Sequence, residues 1–333
     1  MDLDSHVLTV GIVFSGSHYE ALSIVAIESF LKNNQNFKKC CYVSDVKSVS
    51  FEKTVKLIIP GIDIIWVEPK IDFSLYSFPK WKGNYITYWK FELLDFVSDN
   101  DVLVYIDCDT YTRKSFPIKE TLRLLKDEKN PFAATATIRP VYERWTTLRL
   151  KSPFHYINAG FFIYIASIDD SRSADIYLEI FRMGVLDPCN LYWADQDILN
   201  YRFRNNTSLL PENYNVTMGM LQTWSHGRTR LNDLYSLSFL QDPIMIHFTG
   251  NALLSYPPNR FSVEYRRHLN NIRKFIKEED LIEVSSLELL SKELLKPYFS
   301  IRNILTVIFG RFYIYQVRLF SIKDIVRLIF LRK

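Results

Sequence analysis

Residues 101–113 read DVLVYIDCDTYTR. Val102 to Ile106 are strand formers that fit a pleated, half-buried surface. A short apolar run bounded by polar residues reads as a buried strand of a parallel sheet. It stops abruptly at Asp107-Cys108-Asp109. Side chains at i and i+2 of a strand share a face, so the two carboxylates project together. In open α/β sheets, ligands bind at the carboxyl ends of the strands. No Lys or Arg lies inside the motif, so the two acids repel unless a cation intervenes. A hard divalent ion is the simplest such partner, and one that also holds phosphate. Alone, Asp-x-Asp equally describes a solvated strand end or an Asx-turn. The rest of the chain has to decide.

Upstream, residues 7–14 read as a first buried strand, breaking into the small-residue turn Ser15-Gly16-Ser17-His18-Tyr19. A helix is expected over residues 20–31, with Leu22, Val25, Ala26 and Phe30 on one face. Residues 40–43 and 63–67 read as further strands, and 84–96 as a helix leading to the Asp107 strand. Beyond the acids, the pattern predicts helices at 117–126 and 171–183 and strands at 132–137 and 157–165. Residues 193–200 open a helix with acids in its first turn, where the helix dipole favours them. An extended stretch at 209–216 and a strand at 243–248 complete the series. Two long irregular stretches, 139–155 and 217–241, carry Arg, Lys, His and Trp. Loops of that length in a compact domain are usually functional. The alternation implies an α/β domain over residues 1–275 with a mostly parallel central sheet flanked by helices.

Composition narrows the function classes. The chain has 333 residues, 48% of them hydrophobic, and only ten glycines, which gives ample core and argues against a disordered or fibrous chain. The net charge of +4 is unevenly spread: residues 296–333 hold eight cations against Asp324 alone. A mildly acidic body with a basic, greasy tail is not the footprint of a nucleic-acid-binding domain. Four cysteines without a Cys-x-x-Cys pair argue against a zinc site or disulfide framework and favour a reducing compartment. The N-terminus carries acids where a secretory signal wants Lys or Arg, and no apolar run reaches membrane-spanning length. The sequons at Asn205, Asn206 and Asn215 then read as chance matches.

Further motifs stand at strand ends or loop starts: INAGFF around Asn158-Ala159-Gly160, ADQDILN around Asp195-Gln196, and IHFTG from Ile246 to Gly250. With residues 10–19, YWKFELL around Lys90, and VYIDCDT, their order resembles glycosyltransferase family 8. This group of the GT-A nucleotide-sugar-binding fold includes glycogenin-like enzymes and bacterial lipopolysaccharide galactosyl- and glucosyltransferases. The resemblance spans residues 7–260. It implies a metal-dependent, retaining transfer of a hexose from UDP-galactose or UDP-glucose to a saccharide acceptor. Asp107, Asp109 and His247 would hold the metal. An imidazole ligand suits Mn²⁺ better than Ca²⁺, and the resemblance implies Mn²⁺ (or Mg²⁺) as the cofactor. Lys90 would reach the donor phosphates or sugar, with Asp107, Asn158, Ala159, Gly160 and Gly250 also lining the donor site. Glycine allows close backbone approach. Asp195 would hydrogen-bond sugar hydroxyls, and Gln196 would lie near the anomeric carbon. Ser15 and Tyr19 would grip uracil and ribose. Three departures stand out: Ser15 where the family often has Asp, Leu253 where it often has a diphosphate-binding Lys, and residues 132–138, which lack the acid that some members place near the donor sugar. A neutral amide is a poor nucleophile, so the resemblance favours an oxocarbenium-like route over double displacement through Gln196.

The segment 276–333 is expected to be a C-terminal basic amphipathic helical tail. Ile322, Ile325, Val326, Ile329 and Phe330 form an apolar stripe, with Lys323 and Arg327 on the other side. Such a helix fits the interface of an anionic bilayer, or packs on its own domain. Together with the absent signal, it points to the cytoplasmic face of a membrane and a lipid-linked acceptor. The rival readings are a protein-modifying glucosyltransferase and a UDP-sugar-binding protein without transferase activity.

Overall fold

In this computed structural model the described residues are 6–75, 78–81, 83–98, 101–137, 142–169, 191, 193–217, 242–248 and 265. Ten strands are seen among them: β1 (Val7–Val13), β2 (Lys39–Val43), β3 (Asp63–Val67), β4 (Asp101–Ile106), β5 (Thr110–Thr112), β6 (Phe132–Ala136), β7 (Ile157–Ile165), β8 (Thr207–Leu210), β9 (Val216–Thr217) and β10 (Met245–His247). The helices are α1 (Gly16–Asn33), α2 (Val49–Ile58), α3 (Lys90–Phe96), α4 (Ile118–Glu128), α5 (Tyr142–Leu148) and α6 (Asp195–Arg202).

Seven strands form one sheet in the order β3-β2-β1-β4-β7-β6-β8. The four strands from β3 to β4 run parallel, as do β6 and β8, while β7 is antiparallel to both β4 and β6. The chain winds outward from β1 to β3 and then returns to place β4 on the other side of β1. The strand order therefore reverses between β1 and β4, the position where such sheets bind ligands. All six residues of β4 are buried, and the alternation of strand side chains divides them between two cores. Val102, Val104 and Ile106 pack with α1, Phe161 and Ile163. Leu103 and Tyr105 pack with α3, α6, Phe162 and Tyr164 on the opposite face. A Cβ on Gly11 would lie 2.7 Å from Leu103 and 2.9 Å from Leu93, so glycine there lets α3 sit close on the sheet.

A second sheet, β5-β10-β9, begins one residue past the acids. Its register sets His247 opposite Thr110 and Ile246 opposite Tyr111.

At the other end of the large sheet, buried Asp101 holds the starts of three strands. Its carboxylate accepts from Lys39 of β2 at 2.9 and 3.2 Å, from the Ser98 N–H at 3.0 Å and from the Ser98 hydroxyl. Thr9 of β1 donates at 3.5 Å. Burial alone would raise this carboxyl, but Ser98 and Lys39 hold it below the ordinary 3.8. Asp101→Ala is expected to cost about 1–3 kcal/mol in urea unfolding at neutral pH. Because the folded group is the more acidic, this contribution is present above the unfolded value and lost as pH falls through the folded one. The variant and wild type should therefore converge in strong acid.

Most of the expected strands appear within a residue or two, and several other expectations need correction. α1 begins at Gly16, so the expected turn at 15–19 is the residue before the helix and its first turn. α2 was not anticipated; Ser48 caps it by accepting from the Phe51 N–H at 3.0 Å. The expected helix at 84–96 is a 3₁₀ turn, Ile86–Trp89, running into α3. Residues 139–155 are not wholly irregular, since α5 lies inside them and buries Leu148. Pro211 divides the expected extended stretch 209–216 into β8, a 3₁₀ turn and β9. The expected helix at 171–183, residues 218–241, Gly250, Leu253 and the tail at 276–333 lie outside the described residues. Among the described residues, no helix is long and apolar enough to cross a membrane.

Candidate active site

Both acids stand where β4 ends. The Asp107 N–H bonds the Gly160 carbonyl at 2.9 Å, and Thr110 closes the turn by donating its hydroxyl to the Asp107 carbonyl at 2.8 Å. The Phe248 N–H reaches the Asp109 carbonyl at 2.8 Å and ties β10 to the same turn. His247 Nε2 thereby comes to 3.0 Å from Asp109 Oδ1 and 3.5 Å from Asp107 Oδ2. Ligand atoms of the three residues lie within 4.8 Å of one another. The large sheet thus supplies Asp107, the turn Asp109, and the small sheet His247. Burial would lower His247, but the Asp109 charge and hydrogen bond outweigh it, and the imidazole sits above its usual 6.5. Its Nδ1 is buried without a hydrogen-bond partner. Two carboxylates converging with one imidazole nitrogen are a donor set that fits a divalent metal ion.

The fold itself requires glycine at position 160. A Cβ there would enter the space of the His247 ring and lie 2.9 Å from Asp107 Oδ2.

Beneath the acids lies Lys90, at the start of α3 and only 2% exposed. Its Nζ is 2.6 Å from Asp195 Oδ2, 3.2 Å from the Ala159 carbonyl and 3.5 Å from Asp107 Oδ1. It also lies 4.7 Å from the centre of the Tyr105 ring, whose hydroxyl donates to Asp107 Oδ1 at 2.6 Å. The cation that the Asp-x-Asp motif lacks is therefore partly internal. Burial pulls Lys90 down, but Asp107 and Asp195 more than reverse this and hold its ammonium above 10.5. Asp107 is pushed up by burial and pulled further down by Lys90 and His247, ending below 3.8. Asp195 remains above 3.8, because burial exceeds the pull of Lys90.

Asp195 is aimed by its backbone. Ala194 stands at φ 50°, ψ −121°, a conformation that L-residues rarely adopt and that costs on the order of 1–3 kcal/mol. It turns the first residue of α6 inward, where Thr87 donates its hydroxyl to Asp195 Oδ1. Fully buried Asp197 anchors the same turn, accepting from the Tyr156 hydroxyl at 2.6 Å and the Trp193 N–H at 2.7 Å.

Because β7 is antiparallel to β4, its first residues lie beside the acids. Gln196 Oε1 accepts from the Ala159 N–H at 3.2 Å. Asn158 Oδ1 accepts from the Gly160 N–H at 2.9 Å and from Asn215 Nδ2 at 2.8 Å. Across the switch point, Ser15 does not cap α1; its hydroxyl donates to Asp45 Oδ2, just past β2, at 2.8 Å. Tyr19 is raised above 10 by burial and then by Cys108 and Asp109. The described candidates, Ser15, Tyr19, Lys90, Asp107, Asp109, Asn158, Ala159, Gly160, Asp195, Gln196 and His247, all lie at this end of the sheet. Tyr105, Thr87, Asp45 and Asn215 were not anticipated. Tyr105 alone had a readable signal, two residues before Asp107 on the same strand face.

The glycosyl transferase family 8 model matches residues 12–252. The chain belongs to glycosyl transferase family 8. Solved structures agree on the GT-A fold. A galactosyltransferase, LgtC, solved with donor and acceptor sugar analogs, is 16% identical with a TM-score of 0.62, covering 79% of this chain and 95% of its own. The bifunctional glycosyltransferase WbbM is 18% identical with a TM-score of 0.56, over 80% of this chain and 52% of its own. GlyE of Streptococcus pneumoniae is 14% identical with a TM-score of 0.56, over 81% and 64%. No match was found among curated protein sequences. A family 8 chain is a glycosyltransferase of the hexosyl-transferring type, and the family typically uses a divalent metal.

Proposed function

We propose that this family 8 enzyme transfers galactose or glucose from a UDP-sugar, with retention of configuration and with Mn²⁺ (or Mg²⁺) as cofactor. The observation that carries the reading is the convergence of Asp107, Asp109 and His247 where the strand order reverses. A divalent ion held by these residues supplies charge neutralisation for the leaving diphosphate. Ser15 and Tyr19 would hold the nucleoside, and Asn158, Ala159, Gly160 and Gly250 the sugar and diphosphate. Lys90 adds a fixed positive charge next to Asp107, and Asp195 and Gln196 border the reacting carbon. With its oxygen bound to the Ala159 N–H, the Gln196 amide is a group that orients rather than attacks. That favours attack by the acceptor hydroxyl on the leaving-group side.

The acceptor is read as a saccharide, lipid-linked as in lipopolysaccharide. The support for a membrane surface is the charge of residues 296–333, eight cations against one acid. Such a tail would hold the domain (residues 1–275) on the cytoplasmic face of an anionic membrane.

Measuring UDP release without acceptor, across a panel of UDP-sugars in Mn²⁺ or chelator, tests the reading. Release from UDP-galactose or UDP-glucose that stops on chelation is expected. Mn²⁺-dependent UDP binding without release from any sugar would favour the rival prompted by Leu253, a binding protein without turnover. Neither binding nor release would overturn the assignment of the site.

A further inference from the structure

Asn215 enters the sequence only as a sequon, yet its side chain is fully buried. It stands just before β9 of the small sheet and reaches across to Asn158 at the start of β7 in the large one. Asn158 Oδ1 holds two N–H groups at once, from Asn215 and Gly160. Rotating that amide by half a turn would set its NH₂ against two donors, so both bonds select a single orientation. In that orientation Asn158 Nδ2 makes no hydrogen bond among the described residues, and Asn158 is only partly buried. Its neighbours on the strand, Ala159 and Gly160, touch Lys90 and the space of the His247 ring. Asn215 bears a cost for this, since its own Oδ1 is buried with no hydrogen-bond partner. An unpaired buried carbonyl oxygen is unfavourable, and an apolar residue of similar size would avoid it. The amide is explained by what its N–H does to Asn158.

We infer that Asn215 is a positioning residue, which fixes the Asn158 carboxamide so that its N–H groups face the bound nucleotide sugar and donate to one of its oxygens. The inference rests on the reading of Asn158 as a donor-site residue. The oxygen belongs either to a sugar hydroxyl or to a phosphate.

The test is a double-mutant cycle on acceptor-free UDP-sugar hydrolysis at saturating Mn²⁺. Asn158→Ala is expected to lower kcat/KM by about tenfold to hundredfold, the loss of one donated hydrogen bond or a little more. Asn215→Asp replaces the orienting N–H by a carboxylate that repels Asn158 Oδ1 and draws its NH₂ inward. It should come within a few-fold of Asn158→Ala, with Mn²⁺ affinity unchanged. Combining the two should be no worse than Asn158→Ala alone, because no amide is left to turn. If the two losses multiply instead, Asn215 acts through packing and the inference fails. It also fails if Asn158→Ala is harmful while Asn215→Asp is not. If Asn158→Ala itself is fully active, the donor-site reading of Asn158 falls first. Should Asn215→Asp not fold, Asn215→Leu replaces it, with a smaller loss that must vanish in the Asn158→Ala background. Inhibition by free UDP separates the two oxygens: a phosphate contact weakens UDP in Asn158→Ala, and a sugar contact leaves it unchanged.

Discussion

The Asp109→Ala enzyme is expected to release UDP about a thousandfold more slowly than wild type in Mn²⁺, a loss near 4 kcal/mol of transition-state stabilisation. Asp109 is the cleaner of the two acids to remove. Its carboxylate faces His247 at 3.0 Å, whereas Asp107 also accepts from Tyr105 and neutralises the buried Lys90. Alanine at 107 would take from a buried cation one of its two carboxylates and confuse lost chemistry with lost folding. Alanine at 109 leaves the Lys90 pairs intact and subtracts one prospective ligand. Single-turnover UDP release over a Mn²⁺ titration measures the effect. A rate within tenfold of wild type at every Mn²⁺ concentration would show that Asp109 holds no catalytic ion.

Gly160→Ala should be almost as damaging, although it removes nothing. The added methyl would occupy the position of the His247 ring and press on Asp107 Oδ2. The strand cannot withdraw, because the Gly160 carbonyl accepts from Asp107 and its N–H donates to Asn158. His247 is buried within the small sheet and must be the group that moves. Mn²⁺ affinity is expected to fall by about a hundredfold, alongside a stability loss of about 1–3 kcal/mol from overpacking. Calorimetric titration with Mn²⁺ separates the two. Wild-type affinity in a destabilised protein would mean that His247 is not a ligand.

The strands and the acids were legible because both obey local rules. The apolar run of β4 is covered on both faces and ends at the acids, although a turn past the strand end, not the pleat, brings Asp109 beside Asp107. The order of family motifs then supplied His247, Lys90 and Asp195, which no spacing rule could connect. Lys90 shows why local reading stops: a lysine on an amphipathic helix looks solvated, and only the packing of α3 under β4 makes it the buried partner of two carboxylates. Asp45 and Asn215 were illegible for the same reason. Each meets its partner across a strand pairing or a sheet boundary, which no local pattern reports. α2 was overlooked even though Ser48, Phe51 and Val55 carry the cap and the helical spacing.

The division of the three-residue cluster between two sheets also sets an order of assembly. His247 leaves the ribosome roughly 140 residues after Asp109, on the order of ten to thirty seconds later at ordinary elongation rates. Through that interval the large-sheet strands β1 to β4, β6 and β7 can already pair, so a nascent chain would display the two acids and the Lys90 pair without the third arm. Competence to take up metal would be acquired only once β10 is made. A chain stopped short of β10 would have all seven strands of its large sheet and still be unable to close the cluster.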